Sequence, residues 1–149
     1  MSATIETAIR SAIARTLAVV GLAGVALIHF LDAPGTFQGA PYKGWLYTAL
    51  IAGCVLAAAA LVRSNDRRAW LAALLFPLGA VVAFVVSRTV GLPQGADDIG
   101  NWTEPLGMAS LFVEGLLVSL SAWVLAEKSL EPAAARLASR LPSLVREAA

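Results

Sequence analysis

The stretch from Pro105 to Leu125 reads PLGMASLFVEGLLVSLSAWVL. At about 1.5 Å per helical residue it is long enough to cross the ~30 Å hydrocarbon core of a bilayer. Its only ionisable side chain is Glu114. No water is present at that depth to satisfy backbone N–H and C=O groups, so an apolar block of this length has to be helical. Three more blocks of the same character precede it, at about residues 16–31, 44–62 and 70–87. The reading that follows is an all-α bundle of four transmembrane helices forming one membrane domain.

Composition agrees with that reading and narrows it. Hydrophobic residues make up 58% of the 149 and charged residues only 14%, where a soluble domain is nearer a quarter charged. Four spans of about 20 residues use more than half of the chain, so no soluble catalytic domain fits beside them. Net charge is +1, which gives no argument for nucleic acid. Cys54 is the single cysteine, so neither an intrachain disulfide nor a cysteine metal cluster can form. Arginine far outnumbers lysine and alanine is abundant, a bias expected of a GC-rich bacterial genome.

The segments between the blocks set the expected topology. Residues 1–15 are polar and mixed, with Ile5, Ile9 and Ile13 four apart, as in an amphipathic helix that lies on the membrane or continues into the first span. A cleavable signal peptide is the competing reading of Arg10, Arg15 and the apolar run after them, but the sequence from Ile28 to Ala33 lacks a small-x-small cleavage site. Pro34-Gly35 and Pro41 predict a loop over Ala33 to Lys43. Arg63 to Arg68 is a short basic loop. Arg88 to Glu104 is the longest and most polar loop, and Thr103 is the expected cap of the fourth span ahead of Pro105. The tail from Glu127 to Ala149 mixes leucines with Arg136, Arg140 and Arg146, and predicts an amphipathic helix broken near Pro142.

Lysine and arginine decide the expected orientation. The N-terminus, the second loop and the tail hold nine of them, and the first and third loops only Lys43 and Arg88. Short loops rich in these residues stay cytoplasmic, so both termini are expected inside a bacterial cytoplasmic membrane, with an acidic outer face carrying Asp97, Asp98 and Glu104.

Four residues are candidates for a ligand site. Glu114 lies roughly 13 Å into the fourth span by helical rise, near mid-membrane. An ionisable group there is costly and usually faces the bundle interior. Gly107, Ser110 and Ser121 share its helix face, at spacings of three, four and seven. Glu114 is therefore a candidate proton carrier, cation ligand or polar anchor; the plainer role is a hydrogen-bonded lock between helices. His29, the one histidine, is a candidate proton acceptor or a metal or haem ligand, or simply an interfacial side chain bonded to a carbonyl or to Asp32. Arg88 ends the third span as an ion-pair partner of Asp97, Asp98, Glu104 or Asp32, as a binder of an anion or lipid head group, or simply as a snorkelling anchor. Glu104 completes the set, while Asp97 and Asp98 lack the spacing of a calcium loop. In the second span, Ala49, Gly53 and Ala57 recur every four residues and let another helix come close. No nucleotide-binding, hydrolase or metalloprotease motif is present.

The pieces Ile28-His29-Phe30-Leu31, Ser87-Arg88-Thr89-Val90-Gly91-Leu92-Pro93 and Glu104-Pro105-Leu106-Gly107 resemble those of small four-helix membrane proteins of high-GC Gram-positive bacteria. That resemblance covers the four spans, roughly Thr16 to Leu125, and implies a topology without an activity. Two functions then stand side by side. Small size and the lack of catalytic motifs favour an accessory or assembly protein, whose partners would be the bilayer, a second copy or a larger membrane complex. The depth of Glu114 favours a module that binds or transports a small ligand, ion or lipid through a polar pocket open to the outside.

Overall fold

The computed structural model describes the backbone of residues 2–147 and the side chains of residues 4–130. Four helices run through it: α1 (Ser2–Gly39), α2 (Pro41–Arg63), α3 (Arg67–Thr89) and α4 (Pro105–Glu147). Each is long and apolar enough to cross a membrane. Among the described residues there is no β-strand, only an isolated bridge between Leu92 and Gly95. The chain is an all-α four-helix bundle of multi-pass membrane type. Around the bundle α1 packs on α2 and α4, and α3 closes the ring between α2 and α4.

Each helix turns a stripe of small or branched residues inward. On α1 these are Ala14, Ala18, Leu22 and Val25, at spacings of four and three. Cys54, Ala57 and Leu61 face them from α2, Ala69, Trp70 and Ala73 from α3, and Leu117 and Val124 from α4. Large apolar side chains such as Leu17, Val20, Leu56 and Phe112 point outward. An inverted surface of this kind is what a lipid-facing bundle needs.

The ends differ from the sequence expectation in two places. The predicted loop over Ala33 to Lys43 is mostly helix: α1 continues through Pro34 to Gly39, and only Ala40, in extended conformation, separates it from α2. Proline inside a helix removes one N–H, which here leaves only the Phe30 carbonyl without its usual partner. The extra turns are held by Phe37, whose ring covers Gly44 and meets Trp45 edge-on at 5.6 Å. Pro41 then occupies the first turn of α2, where its fixed φ suits a helix start.

At the opposite end, α1 begins at Ser2, so of the two sequence readings of the N-terminal segment the structure takes the one that continues into the first span. Ile5, Ile9 and Ile13 form an exposed stripe along it. The tail is likewise a continuation of α4, uninterrupted at Pro142 as far as Glu147. Arg10 pairs with Glu127 at 2.9 Å and lies over the Trp123 ring, so the projecting ends of α1 and α4 support each other. The amphipathic face expected of the tail rests on side chains beyond residue 130, outside those described.

The basic turn between α2 and α3 is fastened there too. Asp66 caps α3 by accepting from the Ala69 N–H and also accepts from the Ser64 hydroxyl. These two bonds stabilise the charged carboxylate and hold Asp66 below the usual range. Asn65 accepts from the indole N–H of buried Trp70 at 2.6 Å and donates to Ser11 of α1 at 2.8 Å.

Candidate functional site

The face of α4 marked out by its polar residues is buried as its spacing predicts. Ser110, Glu114 and Ser121 are 7%, 1% and 0% exposed, so the Glu114 carboxyl is shielded almost completely from bulk solvent. The Ser110 hydroxyl donates to Glu114 Oε1 at 2.8 Å. His29 reaches the same oxygen from α1, with Nε2 3.7 Å away. Its other nitrogen, Nδ1, lies 3.0 Å from the Val25 carbonyl. A carbonyl can only accept, so Nδ1 carries the hydrogen and Nε2 is the nitrogen turned to Glu114. The ring is held from the far side by Tyr47 of α2, edge-on at 4.6 Å. The Tyr47 hydroxyl donates to Asp32, one turn beyond His29 on α1, which also accepts from Thr36.

A second cluster lies nearer the end where α3 runs into the long loop. Arg88, the last basic residue of α3, is 8% exposed although it is charged. Its guanidinium bonds Asp98 Oδ1 at 2.7 Å, lies 3.9 Å from Glu104 Oε2 and rests over the Phe84 ring. Lys43 of α2 takes the other Asp98 oxygen at 2.9 Å. Asp98 therefore joins α2, α3 and a one-turn helix in the loop, Ala96–Asp98. The loop backbone is tied in as well, by the Gly100 N–H donating to the Arg88 carbonyl at 2.9 Å. Gly91 and Gly100 take positive φ on either side of the turn, which an L side chain would resist.

Glu104 has a second task. Its carboxylate accepts from the backbone N–H groups of Leu106 and Gly107, so Glu104, not Thr103, caps α4. With Pro105 at the first helical position, those two are the free donors of the first turn, and a carboxylate there also suits the positive end of the helix dipole.

Partial burial pushes the Asp98 carboxyl up, but the Lys43 and Arg88 bonds and charges outweigh it and hold it below the usual range. A lowered carboxylate stabilises the fold above the unfolded value of about 3.9 and loses that contribution as pH falls through its own lower value. Amide-exchange protection of Gly100 is therefore expected to be flat from neutral pH down to about 4 and to fall below it. Asp98→Asn should lower that protection at neutral pH and flatten the acid step. An unchanged acid step in this variant would place its origin elsewhere.

The two clusters open into one cavity of about 680 Å³ between the four helices and the long loop. All four residues singled out by sequence, His29, Arg88, Glu104 and Glu114, line it. So do Lys43, Tyr47 and Asp32, which sequence reasoning did not select as site residues. In the sequence Lys43 is only one of the two basic residues of the first and third loops, and nothing there marks Tyr47. The walls between the clusters are apolar, with Leu46 and Leu50 from α2 and Leu75 and Phe76 from α3. Among the described residues no three His, Cys, Asp or Glu side chains are arranged to hold a metal ion.

The small face of α2 also resolves. Gly53 receives the Phe76 ring of α3, and Ala57 is buried in the core. Ala49 lines the cavity. The close approach expected of this face is therefore made within the chain.

Comparison with known proteins adds no relative: no family model, no curated protein and no solved structure matches this chain.

Proposed function

We propose that this chain is a membrane-embedded binding module for a small amphipathic molecule, held in the cavity between its helices. The observation that carries the reading is the joining of a deep buried carboxyl, Glu114, to the Arg88 cluster by one cavity with apolar walls. Ligand pockets in proteins are commonly 300–1,000 Å³ and mostly apolar, with a few placed polar groups. The cavity volume of about 680 Å³ lies within that range. An ionisable group at membrane depth costs several kcal/mol unless it is put to use or fully paired. The nine-to-two distribution of lysine and arginine supports placing the cavity mouth on the extracytoplasmic side of a bacterial cytoplasmic membrane. A transport role would need the cavity to open to both sides in turn; a binding role needs only the cavity.

Gly79 of α3 lines the cavity, and a Cβ added there meets nothing within 4 Å. Gly79→Leu should place a bulky side chain in part of the cavity without disturbing the helices. Gly115, also open around its Cβ but outside the cavity, serves as the control position. Native mass spectrometry of the protein in mild detergent should show a retained molecule in the wild type and in Gly115→Leu, and lose it in Gly79→Leu. An empty wild-type chain, or a bound mass that survives Gly79→Leu, would refute the binding reading.

A further inference from the structure

Resting on that reading of the cavity, we propose that its ligand carries a positive charge, and that the cation is seated against Glu114 in exchange for a proton.

The first argument is the proton count of the pair. His29 Nδ1 is committed to the Val25 carbonyl, so only Nε2 is available toward Glu114. With Nε2 bare and Glu114 ionised, two lone pairs would face each other across 3.7 Å in a dry site. A buried, uncompensated carboxylate is strongly unfavourable. One proton therefore resides in the pair, either on the imidazole as an ion pair or on the carboxyl. The Glu114 side chain is 2% exposed and the His29 side chain 9%, so bulk water does not substitute for it.

The second argument is the balance of fixed charge. Five carboxyl residues line the cavity: Asp32, Asp97, Asp98, Glu104 and Glu114. The permanent cations there are Lys43 and Arg88, and both are spent on Asp98, with Glu104 at the edge of Arg88's reach. Neither Asp32 nor Glu114 has a lysine or arginine partner among the described residues. Asp32 is met only by the Tyr47 and Thr36 hydroxyls. The lower half of the cavity thus holds two carboxyl groups and no fixed cation.

The third is the walls. Tyr47, which stands against His29 and Asp32, and Phe76 line the same cavity, and aromatic rings are one means by which proteins hold organic ammonium-type cations. An anionic ligand would meet Asp32 and Glu114 with nothing to offset them.

The exchange balances. The pair with its one proton and a free cation become the deprotonated pair, neutral imidazole and carboxylate, with the cation bound, plus one proton released to water. The groups facing Glu114 are His29 from α1 and the Cys54 thiol from α2, with the Ser110 hydroxyl on its own helix; Tyr47 and Asp32 stand beside His29. No titratable group of α3 is among its interaction partners. One proton per cation is the expected stoichiometry.

The test uses two probes of one shape and opposite charge, tetraphenylphosphonium and tetraphenylborate, titrated calorimetrically into the full chain in a non-ionic maltoside detergent. Repeating the titration in buffers of different ionisation enthalpy counts the protons released. The phosphonium should bind at least tenfold more tightly than the borate and release about one proton. Its affinity should fall about tenfold per pH unit on the acid side of the exchange. Glu114→Gln, which keeps an acceptor oxygen for Ser110, should lose the binding at least tenfold with an unchanged helical spectrum and thermal midpoint. Equal affinity for both probes, or binding without proton release, overturns the cation proposal. So does a Glu114→Gln variant that binds like the wild type. A neutral or anionic molecule retained in the mass spectrum and lost in Gly79→Leu would overturn it too, while leaving the binding module intact.

Discussion

Gly44→Val is expected to destabilise the protein by about 2–3 kcal/mol, the upper part of the range for overpacking a close contact. Gly44 is buried in the first turns of α2, and a Cβ built there runs into the root of the Phe37 ring, at Cγ and both Cδ atoms. Turning the ring about χ2 leaves Cγ in place, so relief requires Phe37 to leave its position over Gly44 or the last turn of α1 to move. That displacement would also part Phe37 from Trp45, so the fluorescence of the variant should change along with its thermal midpoint in detergent. Gly53 makes an instructive contrast. There an added Cβ meets the tip of the Phe76 ring, which is 38% exposed and has room to swing. Replacing a helical glycine with alanine gains up to about 1 kcal/mol in propensity, so Gly53→Ala should come out close to neutral. A Gly44→Val protein as stable as the wild type would mean that Phe37 does not hold the α1–α2 corner.

That corner also marks where the sequence stops being readable. Hydropathy identified the four spans because the bilayer imposes one solution on any long apolar block. The buried face of α4 was legible for a related reason: Gly107, Ser110, Glu114 and Ser121 are the residues lipid disfavours, and they recur at helical spacing. Pro34-Gly35, by contrast, carries the local signature of a loop. What overrides it is a tertiary contact, Phe37 on Gly44, between residues that no periodicity links. The same holds for the cap of α4. Threonine is the commoner capping residue, but the loop delivers Glu104 to the Leu106 and Gly107 N–H groups, and its carboxylate also faces Arg88.

The candidate site was half legible by the same logic. Glu114, His29, Arg88 and Glu104 stood out because each is expensive or unusual where it sits. Lys43, Tyr47 and Asp98 did not, because at a membrane surface such residues are ordinary. Their role comes from convergence: Lys43 and Arg88 meet on one carboxylate that is 55 residues from the first and ten from the second. The effect is to neutralise the upper cluster internally and leave the lower one, around Glu114 and Asp32, with unbalanced negative charge. A binding site and a structural clamp are thus built from the same kinds of residue, and differ in whether the cation belongs to the chain.

The clamp makes the last prediction. Arg88→Met keeps an apolar stem and removes the guanidinium, and with it the stacking on the Phe84 ring. Removing one partner of a buried ion pair typically costs 3–5 kcal/mol. The Arg88 side chain is only 8% exposed, but Asp98 and Glu104 are 37% and 34% exposed, and water can compensate them in part. The expected loss is therefore about 2–3 kcal/mol, below that range. It should be concentrated in the loop, because the Gly100 N–H to Arg88 carbonyl bond depends on the loop staying docked. Arg88→Lys should recover only part of the loss, since one ammonium cannot address Asp98 and Glu104 together as a guanidinium fork does. Combining Arg88→Met with Asp98→Asn gives the sharper measurement. If the two side chains act mainly on each other, the double variant should be no less stable than Arg88→Met alone, because the stranded carboxylate is gone. Additive losses would mean that Lys43 holds Asp98 independently and that Arg88 works chiefly through its stacking on Phe84.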